Sequence, residues 1–98
     1  LATSTRARAE AVLFEGALEI AAGNVQAGLA RYRQAYALRP SDTRILERIA
    51  RLAEKHGALP RALDALQGLR RAEPRNEKWK QKIDEIEQRS REERLLRK

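Results

Sequence analysis

Apolar side chains recur along this chain at spacings of three and four residues. Leu29, Tyr32, Ala35 and Tyr36 form one such stripe, Leu46, Ile49, Ala50 and Ala53 a second, and Leu59, Leu63, Leu66 and Leu69 a third. Trp79, Ile83 and Ile86 form a shorter fourth. A period near 3.6 puts each stripe on one side of an α-helix, and no segment alternates as a strand would. Glycine and proline divide the chain into five helical segments. The first is predicted from Ser4 or Thr5, either of which can cap it, to about Ala22, with Gly23-Asn24 as the break. The second runs from Val25 to Leu38 and stops before Pro40, which restricts Arg39. Ser41 and Asp42 are N-cap types for a third helix ending at His56, with Gly57 as its stop. Pro60 suits the first turn of a fourth, which ends near Ala72 before Pro74. Asn76 caps a fifth that runs toward the C-terminus. Connections of two to four residues make successive helices antiparallel. The expected fold class is all-α, about five helices arranged as antiparallel hairpins.

The pattern also repeats over a longer distance. Pro40 and Pro74 stand 34 residues apart, and the same shift lays Gly23 on Gly57, Leu29 on Leu63, Tyr32 on Leu66, Val12 on Leu46 and Gly16 on Ala50. With these residues in place the chain resembles the tetratricopeptide repeat family, whose helix–turn–helix unit has the same 34-residue length. Val12, Gly16, Gly23, Tyr32, Ala35 and Pro40 fall on that family's signature places in one unit; Leu46, Ala50, Gly57, Ala62, Leu66 and Pro74 do so in the next. Trp79 and Ile83 begin a helix that covers the end of the stack. The resemblance implies a short right-handed α-solenoid: a lead-in over residues 1–8, repeats over 9–42 and 43–76, and a closing helix with a charged extension over 77–98. It further implies packing roles for these signature residues and a role in protein–protein interaction.

Two departures stand out. Gly28 takes the place of the family's small alanine, which preserves close helix approach but lowers helix propensity by about 1 kcal/mol. Glu15 and Glu19 occupy first-helix places that normally face the second helix, so both are expected to be exposed or paired, since an unpaired buried carboxylate is costly. Leu13, Phe14 and Leu18 point toward sides the family often leaves open. Either the helix is rotated, or a preceding repeat or a partner chain, including a homodimer mate, covers it.

Composition narrows the function. The chain has 98 residues, enough for one small domain and too few for a deep enclosed site. It begins with Leu1, has no signal-peptide pattern and no apolar run of membrane-spanning length, and is read as a piece of a longer protein. No cysteine is present, which removes disulfides and thiolate metal sites. His56 is the single histidine, at a helix end where it meets the dipole favourably. Ser4, Thr5, Ser41, Thr43 and Ser90 have no base or glycine-rich elbow beside them, and Asp84, Glu85 and Glu87 lie on a charged helix without converging. No cofactor, no metal and no enzymatic activity are expected.

The formal charge of +7 comes from 16 Arg and 5 Lys against 14 acidic residues, which favours acidic partners. In the family, a concave surface built from the first helix of each unit holds a peptide. The matching residues here are Glu10, Leu13, Ala17 and Ile20, then Arg44, Glu47, Arg48, Arg51 and Lys55, then Lys78 and Lys82. The first group is mainly apolar and the others basic, which suits an acidic peptide or a terminal carboxylate. The competing reading is a solvated face of mixed charge, with Glu47 one turn from Arg51. Of the family's chaperone-binding carboxylate clamp, Lys78 and Lys82 match the third-helix cations. Arg48 replaces an Asn, and Leu13 and Ala17 replace a Lys and an Asn, so that role is not expected. Nucleic acid is the rival partner, through Arg6, Arg8, Arg31, Arg33, Arg70, Arg71 and Arg75, but Phe14, Tyr32, Tyr36 and Trp79 supply no stacking platform. The segment from Gln88 to Arg94 reads as a solvated helix held by pairs such as Glu85–Arg89 and Glu87–Arg91. The expected role is a non-catalytic interaction scaffold. Bacterial relatives in the resembled family recruit partners in envelope assembly, secretion and polysaccharide export. The resemblance therefore implies such a setting, in periplasm or cytoplasm, with which the abundant arginine and alanine agree.

Overall fold

A computed structural model describes residues 4–97. Five α-helices follow one another: α1 (Thr5–Ala21), α2 (Val25–Leu38), α3 (Thr43–Lys55), α4 (Leu59–Ala72) and α5 (Glu77–Leu96). No strand occurs among the described residues. Residues 1–3 of the expected lead-in, and Lys98 of the expected tail, lie outside them.

The helix starts are of two kinds. Before α1, α3 and α5 a side chain caps the first turn: the Ala7 amide donates to Ser4 Oγ at 3.1 Å, the Arg44 amide to Asp42 Oδ1 at 3.1 Å, and the Lys78 amide to Asn76 Oδ1 at 3.1 Å. Each cap satisfies an amide that the helix cannot. Before α2 and α4 there is no side-chain cap. Those helices follow tight turns through Gly23 (φ +91°) and Gly57 (φ +74°), a left-handed conformation that glycine adopts without strain. Pro40 and Pro74 are exposed. Their part in the repeat is to end α2 and α4, and the packing expected of them is made by other residues.

The chain divides into two compact units, Leu1–Ile45 and Leu46–Lys98. In the first, α1 and α2 pack as an antiparallel hairpin: Gly16 lies against Tyr32 and the Gly28 carbonyl, and Ile20 against Gly28. A Cβ on Gly16 would stand 2.6 Å from Tyr32 Cδ1 and 2.9 Å from the Gly28 carbonyl oxygen. The Glu15 carboxylate pairs with Arg31 at 3.5 Å on the exposed side, and Glu19 is half-buried. Thus Glu15 is exposed and paired, which removes the burial cost its position threatened. Val12, at the first signature place, is half-buried, while Gly16, Gly28, Leu29, Tyr32 and Ala35 are buried.

In the second unit the core is mainly aliphatic, with one aromatic residue, Trp79. Leu46, Ile49, Ala50, Ala53, Leu59, Ala62, Ala65, Leu66, Leu69, Trp79, Ile83 and Ile86 are all buried. Among the described residues no charged or polar side chain is buried, so the core carries no unpaired polar group. Trp79 keeps its indole N–H satisfied by donating to Glu73 Oε1 at 2.6 Å.

Candidate functional site

The second unit carries an open cleft of about 230 Å³, lined by Glu47, Ala50, Arg51 and Glu54 of α3, Leu66 of α4, and Lys78, Trp79 and Lys82 of α5. The repeat pattern explains the placement. Ala50, Leu66 and Trp79 are buried core residues whose edges form an apolar floor, and the charged residues between them project to the rim. Lys78 Nζ sits 4.9 Å from the centre of the Trp79 ring, in cation–π range.

Glu54 organises the rim. Lys82 Nζ lies 3.0 Å from Glu54 Oε1, and Arg89 donates to Glu54 Oε2 at 3.2 Å. Glu85 stands 3.6 Å from Lys82 on the other side. The hydrogen bond to Glu54 raises the Lys82 pKa above the ordinary lysine range, against partial desolvation, with the charges of Glu54 and Glu85 adding to the rise. Lys82 is therefore a cation already spoken for, whereas Arg51 and Lys78 are the exposed cations of the cleft.

Of the residues expected on the partner-binding face, Glu47, Arg51, Lys78 and Lys82 come together here. Arg48 and Lys55 are exposed on the same helix but do not line the cleft. Arg44 turns to the start of its own helix, where its Nε donates to Asp42 Oδ1 at 3.2 Å. That hydrogen bond is the main cause of the lowered Asp42 pKa. Glu10 is exposed, and Leu13 and Ala17 are half-buried on α1. Ile20 is laid against Gly28, so it belongs to the α1–α2 contact.

Glu54 lines the cleft but lies outside the set expected from the sequence, although a signal for it is present. It stands 34 residues after Ile20, so sliding the first group by one repeat points to it. The pairing of Arg89 was also misread: in place of Glu85 on its own helix, Arg89 takes Glu54 on α3, and Glu85 takes Lys82. Arg91 likewise donates to Gln88 at 2.8 Å, not to the Glu87 expected for it. Among the described residues no group of three or more His, Cys, Asp or Glu side chains could hold a metal, and no helix is long and apolar enough to cross a membrane.

Antiparallel helical pairs, glycine turns at one joint and side-chain caps at the next, and an open charged cleft define a helical-repeat protein. The profile of the tetratricopeptide repeat family matches residues 19–85, more than half of the chain, and the chain belongs to that family. The match begins at Glu19 and leaves most of α1 outside, the helix in which Glu15 departs from the expected pattern. No curated protein matches the chain. Tetratricopeptide repeats generally mediate protein–protein interaction, and the family is typically a non-catalytic scaffold.

Proposed function

We propose that the chain is a non-catalytic scaffold whose α3–α5 cleft holds an extended peptide bearing an acidic group. The observation that supports this is the arrangement of Arg51 and Lys78, both exposed, over a floor of Ala50, Leu66 and Trp79. An acidic side chain or terminal carboxylate would take the two cations, and a neighbouring apolar side chain would cover the floor. Lys82 plays a different part in this reading: held by Glu54, it fixes the wall of the cleft and contributes less to ligand charge. The repeats are assigned to residues 9–42 and 43–76, with α5 closing the second.

Trp79 is the chain's single tryptophan and lines the cleft, so its emission reports on occupancy. Titration with a short acidic peptide is expected to shift that emission, and with a basic peptide of equal length to leave it unchanged. Arg51→Glu together with Lys78→Glu should abolish the response with helicity intact. A response that survives this double reversal would rule the cleft out as the acidic-peptide site.

A further inference from the structure

The exposed side of α1 carries a pattern that neither the hairpin nor the cleft uses. Ala7, Ala11, Phe14, Leu18 and Ala21 follow one another at alternating spacings of four and three, and every one of them is exposed. Phe14 is 66% and Leu18 55% accessible. Such spacing generates the seam of a two-stranded helical pair, with the residues beside the seam deciding orientation and partner. On α1 those flanking residues are Arg8 and Glu15 along one edge, and Glu10 and Ala17 along the other.

We propose that this face pairs with the same face of a second copy of the chain, antiparallel, with Phe14 opposite Ala11 and Leu18 opposite Ala7 of the second copy. Volume supports the register, because each large side chain meets a small one and the two helices can approach closely. Charge supports it independently. The antiparallel arrangement sets Arg8 beside Glu15 of the second copy and Glu15 beside its Arg8. The other edge brings Glu10 to Ala17, so no like charges meet. Parallel pairing fails on both counts. It would stack Phe14 on Phe14 and alanine on alanine, leaving gaps, and would place Glu10 beside Glu15 of the second copy. The antiparallel register also overlaps nearly the whole of α1 and opposes the two helix dipoles. A preceding repeat or an unrelated protein would require none of this self-complementarity. For that reason the structure favours a second copy as the occupant. This surface is separate from the cleft, and its test does not depend on peptide binding.

Sedimentation equilibrium of the 98-residue chain is expected to show a reversible monomer–dimer system. Phe14→Asp should raise the dissociation constant by about thirtyfold or more, the scale of an interface hot spot, with helicity unchanged because Phe14 is exposed. Arg8→Glu and Glu15→Arg should each weaken self-association, while an equimolar mixture of the two variants should restore the dimer as a heterodimer. If Glu15→Arg alters the hairpin through loss of Arg31, as helicity would reveal, Arg8→Glu alone still decides. It leaves the Glu15–Arg31 pair in place and should weaken the dimer, whereas a dimer indifferent to it overturns the antiparallel register. A wild-type chain that stays monomeric up to millimolar concentration overturns the proposal and leaves the face to a preceding repeat or another protein. Strengthening by Glu15→Arg would establish parallel pairing instead, and a dimer indifferent to Phe14→Asp would place the interface elsewhere.

Discussion

Where α1 meets α2 the close residues are Gly16 and Gly28; one repeat later the same places hold Ala50 and Ala62. The exchange is matched by their neighbours. Gly16 lies against the ring of Tyr32, whereas Ala50 shares the cleft floor with Leu66, the residue one repeat after Tyr32. Gly28 receives Ile20, whereas the counterpart of Ile20 is Glu54, which turns to Lys82 and Arg89. The first unit closes these places with a small residue against a large side chain, and the second sets a larger residue beside a smaller or departing side chain, which leaves an open cleft there. The second arrangement has a structural by-product: the position released from packing becomes the anchor of the ion pairs with Lys82 and Arg89.

This contrast can be broken at several scales. The largest effect is expected from emptying either core. Leu29→Ala in the first unit and Leu69→Ala in the second each delete a fully buried side chain and should cost about 2–5 kcal/mol. Thermal unfolding followed by circular dichroism will tell whether the two variants lower one shared transition or two distinct ones. Next in size is Gly16→Ala, in which the new methyl meets Tyr32 and backbone and should cost about 1–3 kcal/mol. Adding Tyr32→Leu, which copies the second unit, should recover part of that loss, so denaturation of the two single variants and the double should be non-additive.

Glycine in the second unit should behave oppositely. A Cβ on Gly68 would stand 3.1 Å from Leu46 Cδ1, the movable end of a side chain. Gly68→Ala is therefore expected to raise stability by up to about 1 kcal/mol through helix propensity, as the denaturation midpoint will show. The smallest expected effects separate the units by pH. Lys82 has a raised pKa in the folded chain. Its contribution is complete below the ordinary lysine value of about 10.4 and is lost as pH rises through the folded value. Asp42 has a lowered pKa, chiefly through its hydrogen bond with Arg44. Its contribution is present above the ordinary value of about 3.9 and is lost as pH falls through the folded value. Both groups are solvent-screened, so each slope should be worth less than about 1 kcal/mol. Stability curves of Lys82→Gln in alkali and Asp42→Asn in acid, each against the parent chain, check the two signs.

The helices were legible because their ends are written locally. Val25 and Leu38 bound α2 as the Gly23-Asn24 break and Pro40 require, and Ser4, Asp42 and Asn76 cap as their side chains allow. The site was legible only in part. Glu47, Arg51, Lys78 and Lys82 follow from helical spacing and the repeat. The partners of Glu54 do not, since Arg89 is 35 residues away and reaches it across a tertiary contact. Helical spacing alone favours the nearer Glu85. Ile20 departs for a related reason: it shares a repeat position with Glu54, but its side chain occupies the space left by the missing Cβ of Gly28.

The alternation of joints has a consequence for how the chain can be cut and recombined. A joint of the first kind, at Asp42 or Asn76, is closed by the residue that opens the next helix, so a hairpin that starts there carries its own beginning. A joint of the second kind, at Gly23 or Gly57, belongs to the helix before it and loses its meaning when that helix is removed. Crossovers between related arrays should therefore survive at the capped joints and fail at the glycine turns, which makes the hairpin the unit of exchange and leaves the single helix with no independent currency.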